Sequence, residues 1–153
     1  MSLRIVQEDL LEGLTDPVTC VPTIVLHGCN CFHTMGAGVA LYLRIKYPQV
    51  YDVDKTFTEK GDKAKLGTYT AALISGRLYI LNCYTQYRYG RDKQYAEYWA
   101  IERCFKLISN YIDHAWKIRM SKIGCGNAGG DWAIVQQSVE QHLKYFDVTV
   151  CYK

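Results

Sequence analysis

Two stretches of the chain combine glycine, short polar side chains and a following helical pattern in the way anion binding requires. The first is His27-Gly28-Cys29-Asn30-Cys31-Phe32-His33-Thr34-Met35-Gly36-Ala37-Gly38-Val39. The second is Gly124-Cys125-Gly126-Asn127-Ala128-Gly129-Gly130-Asp131-Trp132, with four glycines in seven residues. Glycine lets backbone N–H groups come close to a ligand, and a helix start adds unpaired N–H groups and the positive end of its dipole. Two such loops at the carboxyl ends of parallel strands would form a crevice for a diphosphate or dinucleotide. The alternative is a pair of tight strand-to-helix connections without a ligand.

The first stretch also alternates His27, Cys29, Cys31 and His33, which resembles a metal box. An extended strand advances about 6.6 Å per two residues, so these four side chains spread over some ~20 Å. Tetrahedral zinc needs its donors within about 2.0–2.3 Å of one point. No second ligand pair stands at a standard spacing, and no metal or other cofactor is expected. Cys29, Cys31 and Cys125 lie near the glycine loops, but a nucleophilic thiolate needs a cationic or helix-end setting, and small buried packing explains them equally well. No catalytic role is assigned to them.

The loops need strands before them and helices after them. Thr23-Ile24-Val25-Leu26 is a short, β-branched apolar run that reads as a buried strand before the first loop, and Arg119–Ile123 reads likewise before the second. Val39, Leu43 and Tyr47 recur every four residues in a helix that must end before Pro48. Asp131 can cap the helix that continues through Ala133-Ile134-Val135-Gln136. Leu3-Arg4-Ile5-Val6 reads as a first strand, and Thr15-Asp16-Pro17 as a turn. Tyr51 to Lys60 reads as a charged helical piece stopped by Gly61. Thr68–Ile74 and Arg77–Thr85 flank Ser75-Gly76 as a hairpin with a two-residue turn. Trp99, Ile101, Phe105, Ile108 and Ile112 form an apolar helical stripe whose aromatics are expected in the core, and Asp147–Tyr152 is a closing strand. Strands and helices alternate around one hairpin, which predicts a mixed sheet between helix layers.

Gln86-Tyr87-Arg88-Tyr89-Gly90-Arg91-Asp92-Lys93-Gln94-Tyr95 is rich in arginine and tyrosine. Three readings stay open for it: a stacking surface for single-stranded nucleic acid, one wall of the ligand crevice, or a solvated loop.

The 153 residues fit one domain, 1–153, large enough for a full core. With 49% apolar residues and thirteen tyrosines, the chain is not disordered. A net charge of +3 makes no case for a dedicated nucleic-acid binder and slightly favours an anionic small molecule. No apolar run approaches the roughly 20 residues of a membrane span, and the start is not a signal peptide. Seven cysteines without a secretory signal fit a reducing, cytoplasmic setting without disulfides. No membrane or nucleic-acid partner is expected, and the protein is expected to work as a monomer.

From about Arg4 to Tyr152 the chain resembles the macrodomains, the ADP-ribose-binding three-layer α/β/α fold with a central mixed sheet. It is most similar to the branch that processes ADP-ribose 1″-phosphate. The matching segments are His27-Gly28-Cys29-Asn30-Cys31, Met35-Gly36-Ala37-Gly38-Val39-Ala40 with Lys46-Tyr47-Pro48, and Ile123-Gly124-Cys125-Gly126 with Ala128-Gly129-Gly130-Asp131-Trp132. The resemblance implies a phosphatase that releases ADP-ribose and phosphate. Asp9, beside Leu10, would accept a hydrogen bond from the adenine amino group, although the family usually has glycine where Glu8 stands. Gly124, Cys125, Gly126, Asn127, Ala128 and Gly129 would wrap the diphosphate. Met35, Gly36, Ala37, Gly38 and Val39 would close the far side, and Asn30 would bind the distal ribose and belong to the catalytic set with His33 and Asp131. His33 is the first candidate for moving a proton, because an imidazole titrates near neutrality, and Asp131 is the second, beside its capping role. A sister branch that removes ADP-ribose from acidic residues or DNA uses a lysine after the threonine ending the fourth strand. Here Gln86 follows Thr85, and Ala128 stands where some members carry a loop aspartate, so lysine-dependent chemistry is disfavoured. An ADP-ribosyl hydrolase of different mechanism and a non-catalytic ADP-ribose-binding module are the alternatives.

Overall fold

The computed structural model describes residues 2–14, 16 and 18–153, so Thr15 and Pro17 of the expected Thr15-Asp16-Pro17 turn lie outside the described residues. The elements in chain order are β1 (Ser2–Gln7), β2 (Thr23–Cys29), α1 (Gly38–Lys46), α2 (Gln49–Phe57), a single 3₁₀ turn (Lys63–Lys65), β3 (Tyr69–Ser75), β4 (Leu78–Tyr84), α3 (Tyr98–Tyr111), β5 (Lys117–Ser121), α4 (Trp132–His142) and β6 (Asp147–Tyr152). The strands form one sheet in the order β1-β6-β5-β2-β4-β3. All neighbouring pairs are parallel except β3 with β4. This is the expected mixed sheet.

Side chains alternate across a strand, so each central strand feeds two cores. On one face Ile24, Leu26, Leu81, Cys83, Ile118, Met120, Val148 and Val150 pack with Ile101, Phe105 and Ile108 of α3 and Val135 and Val139 of α4. On the other, Val25, Cys29, Leu78, Ile80 and Tyr84 pack with Leu43 of α1, Val50 of α2 and Leu10, Leu11 and Leu14 of the segment after β1. The sheet is therefore covered on both sides, which explains the nearly continuous apolar runs of β2 and β4.

Several local expectations shift. Tyr47 before Pro48 is extended (φ −135°) and ends α1 as the pre-proline restriction demands. The next helix starts at Gln49 and ends at Phe57, earlier than Gly61. Ser75 pairs with Leu78, so Gly76-Arg77 make the hairpin turn, and Ser75 Oγ accepts from the Arg77 N–H at 3.0 Å. Trp99, which the apolar stripe places in the core with the other aromatics of its helix, is 52% exposed while Phe105 is fully buried. It sits on the solvent side of α3, one residue off the buried stripe of Ala100, Ile101, Cys104, Phe105 and Ile108.

Candidate ligand crevice

A crevice of 890 Å³ opens at the carboxyl ends of the central strands, lined by both glycine loops. From β2 the chain moves outward through α1 and α2 to β3 and β4, then crosses by α3 to β5 on the other side of β2. The crevice thus lies at the switch point of the sheet, where open α/β sheets place ligands.

The first loop is built on itself. Asn30 Oδ1 accepts the Phe32 N–H at 2.8 Å, and its amide donates to Thr34 Oγ1 at 2.5 Å. Asn30, Thr34, Met35, Gly36, Ala37, Gly38 and Val39 all line the crevice. No side chain among the described residues caps the start of α1, and its first turn carries no acid. Its leading N–H groups are left for an anion.

The second loop turns through Gly124 (φ +77°) and returns with the Gly130 N–H bonded to the Gly124 carbonyl at 2.7 Å. A β-carbon on Gly130 would stand 2.5 Å from that carbonyl oxygen, so only glycine closes the loop. The N–H groups of Gly126, Asn127 and Ala128 receive no hydrogen-bond partner among the described residues. Gly124, Cys125, Gly126, Asn127 and Ala128 line the crevice. Gly129 faces the other way, towards Lys93 and Gln94. The two loops meet at one point: the amide nitrogen of Asn127 is 3.7 Å from where a β-carbon on Gly38 would be.

At the opposite end are Asp9 and Leu10, also in the lining. Asp9 Oδ1 accepts the Leu11 N–H and the Tyr42 hydroxyl, both at 2.8 Å. The Leu11 bond first, then Tyr42 and the charges of Lys153 and Arg119, hold its carboxyl below the usual carboxylate range against a burial effect of opposite sign. Tyr42 is pushed up to about 12 by burial and by its bond to Asp9. Glu8 pairs with Arg119 at 2.8 Å.

The arginine–tyrosine segment forms part of the wall. Gln86, Tyr89, Gly90 and Arg91 line the crevice. The segment is tied to both loops, because the Tyr87 carbonyl accepts the Cys31 N–H at 3.0 Å and the Ala128 carbonyl accepts the Tyr95 N–H at 2.8 Å.

Two expected proton carriers are placed differently. His33 and Asp131 are absent from the lining. His33 holds a left-handed backbone (φ +55°), its carbonyl accepts from Tyr51, and its Nε2 is 2.8 Å from Thr58 Oγ1. The Thr58 hydroxyl donates to the Asp54 carbonyl at 2.6 Å, so the imidazole is the donor. Asp131 is the N-cap of α4 and accepts the Ala133 N–H at 2.9 Å.

Below the first loop lies a buried polar group. His27 Nε2 is 2.6 Å from Asn82 Oδ1, and burial lowers the His27 pKa to about 4 although that bond acts the other way. The Tyr84 hydroxyl donates to Asp54 at 2.7 Å, and Lys65 donates to Thr58 Oγ1 at 2.9 Å. Burial pushes the thiols of Cys31 and Cys125 up to about 11, so neither is a thiolate at neutral pH. Cys29, Cys31, Cys83, Cys104, Cys125 and Cys151 are free thiols. Among the described residues, no group of three or more His, Cys, Asp or Glu side chains is placed to hold a metal. No helix among them is long and apolar enough to cross a membrane.

Tyr42, Ser121, Lys122, Tyr152 and Lys153 also line the crevice, and no sequence motif marks them. The signal available was positional: Ser121, Lys122, Tyr152 and Lys153 stand at or just beyond the carboxyl ends of β5 and β6, the edge that carries the loops.

The fold is similar to that of solved macrodomains. The macrodomain of Thermus aquaticus DarG superposes with a TM-score of 0.74 at 22% identity, over 99% of each chain. Thermosipho africanus DarTG, solved in complex with ADP-ribose, gives 0.73 at 20% identity over 97% of this chain and 41% of that one. A Bacteroides thetaiotaomicron protein of unknown function gives 0.85 at 24% identity, over 99% and 98% of the two chains. No family model matches the sequence. In sequence the chain is 32% identical over 132 residues, 82% of its length and 83% of its relative's, to an uncharacterized 17.5 kDa protein in the tk-vs intergenic region of Enterobacteria phage T4. The chain belongs to the family of that phage protein.

Proposed function

We propose that the crevice binds an ADP-ribosyl group and that the protein hydrolyses ADP-ribose 1″-phosphate to ADP-ribose and phosphate. The observation that carries this reading is the pair of apposed glycine loops, one offering the open N–H groups of Gly126, Asn127 and Ala128, the other the uncapped start of α1. Neutral N–H donors fixed by the backbone suit a diphosphate, which needs several short bonds from converging directions. The bound ADP-ribose in the Thermosipho africanus neighbour supports the same ligand class. In this reading the adenine lies by Asp9 and Leu10, the diphosphate between the loops, and the distal ribose against Asn30 and Gly36 to Gly38.

The phosphatase assignment within this reading rests on the sequence resemblance and on what is missing from the wall. Gln86 and Ala128 occupy the positions where a sister branch has its lysine and aspartate, and both line the crevice. One observation favours a second reading, a binding module without catalysis: His33 and Asp131 are both engaged outside the crevice.

Calorimetry with ADP-ribose and phosphate release from ADP-ribose 1″-phosphate separate the two readings. Asn30→Ala is expected to weaken ADP-ribose binding by about tenfold, the loss of one or two hydrogen bonds to a sugar diol. His33→Ala is expected to bind ADP-ribose as the wild type does, with any effect confined to phosphate release. Tight wild-type binding without release of phosphate selects the binding module. No binding of ADP-ribose removes both readings.

A further inference from the structure

Arg119 points from the middle of β5 to the segment that carries Asp9. Its Nε donates to the Leu10 carbonyl at 2.9 Å, and its Nη2 donates to the Asp9 carbonyl at 2.9 Å and to Glu8 Oε1 at 2.8 Å. One planar guanidinium therefore holds three successive residues, a task its rigid fork performs and a lysine ammonium does not. The Arg119 side chain is 13% exposed, so these bonds form where water competes weakly. From the opposite side Tyr42 of α1 donates to Asp9 Oδ1, which also takes the Leu11 N–H. Oδ1 is thereby occupied, while Asp9 Oδ2 has no hydrogen bond among the described residues and belongs to a residue of the crevice lining.

We infer that Arg119, with Glu8 and Tyr42, is a positioning device that fixes Asp9 as a selector for a base bearing an exocyclic amino group. This rests on the ADP-ribose reading and goes beyond it in assigning what sets base selectivity. A carboxylate held ionised and immobile accepts from an amino group and repels a carbonyl oxygen at the same place. A carboxylate free to swing can turn away from the carbonyl and lets hydration replace the lost bond. Glu8 gives Arg119 an anionic partner, which keeps the guanidinium in place beneath the loop.

The test compares ADP-ribose with inosine diphosphate ribose, whose hypoxanthine has an oxygen in place of the amino group. Calorimetry is run on wild type, Arg119→Gln, Arg119→Lys and Tyr42→Phe, with thermal melting as a check of folding. Wild type should prefer ADP-ribose by about tenfold or more, the value of a charge-assisted bond exchanged for a repulsion. Arg119→Gln should bring the ratio close to one mainly by weakening ADP-ribose, with the inosine analogue nearly unchanged. Arg119→Lys and Tyr42→Phe should give intermediate ratios, and they decide the matter if Arg119→Gln does not fold. A purely structural role would lower both affinities by the same factor and leave the ratio intact, which overturns the inference. A wild type that binds both ligands equally overturns it too, while leaving the ADP-ribose reading in place. A wild type that binds neither ligand removes the reading itself.

Discussion

His27 shows how much one buried side chain can contribute to the pH dependence of this protein. It is fully buried, its Nε2 faces Asn82 Oδ1, and its pKa is lowered to about 4 from an ordinary 6.5. The unfolded chain therefore binds a proton between those two values that the folded chain does not. Stability contributed by neutral His27 is complete above about pH 6.5 and is lost as the pH drops, the loss reaching about 3 kcal/mol by pH 4. Urea unfolding at pH 7 and at pH 4.5 should show this fall, and His27→Gln, which keeps a donor for Asn82, should show a shallower one. Equal slopes would mean that other groups carry the acid sensitivity. At this scale the sequence was partly legible. Asn30 and the loop glycines stand out because their residue types have few other uses at a strand end. The bond from His33 to Thr58 did not, because its partner is 25 positions away and belongs to the end of a different helix. Tyr42 was hidden for a similar reason: a tyrosine on a helix gives no sign that its hydroxyl reaches Asp9, 33 positions back.

Among the elements, the loops differ in how much they depend on glycine. Gly130→Ala would drive a β-carbon into the Gly124 carbonyl at 2.5 Å, and backbone cannot give way as a flexible side chain can. It is expected to cost about 1–3 kcal/mol and to open the second loop, weakening ADP-ribose binding as well. Gly76→Ala, in the hairpin turn, meets nothing within 4 Å. Its cost should stay within about 0.5 kcal/mol, with ligand affinity unchanged. Denaturant midpoints together with calorimetry check both. If Gly130→Ala proves as mild as Gly76→Ala, the second loop is not the rigid cradle described. Element types and most strand limits followed from periodicity and turn residues, and Asp131 caps α4 as its position before an apolar run indicated. Trp99 did not follow, because the helical stripe shifts by one residue and only packing against β4 and α4 decides which side wins.

At the scale of the whole molecule, the order of the strands turns two loops 86 residues apart, taking Gly38 and Gly124 as their markers, into opposite walls of one crevice. That β5 returns beside β2 could be expected from alternating strands and helices but not read from any residue, and the same holds for Tyr152 and Lys153 arriving at the rim through β6. The consequence is that binding should be a property of the assembled sheet. Asp9 follows β1 at one end, Asn30 follows β2 at the other, and the open N–H groups of Gly126, Asn127 and Ala128 lie between them. A ligand spanning all three regions should stabilise the fold far more than its parts. At a free concentration of about 100 times its dissociation constant, ADP-ribose should add about 2.7 kcal/mol, a rise of several degrees in melting temperature for a domain of this size. At that same concentration, AMP and ribose 5-phosphate should each give a small shift, and the two together less than ADP-ribose, because each separate fragment gives up its own translational and rotational freedom on binding. A shift with AMP as large as with ADP-ribose would confine recognition to the Asp9 end and leave the two facing loops as structural turns.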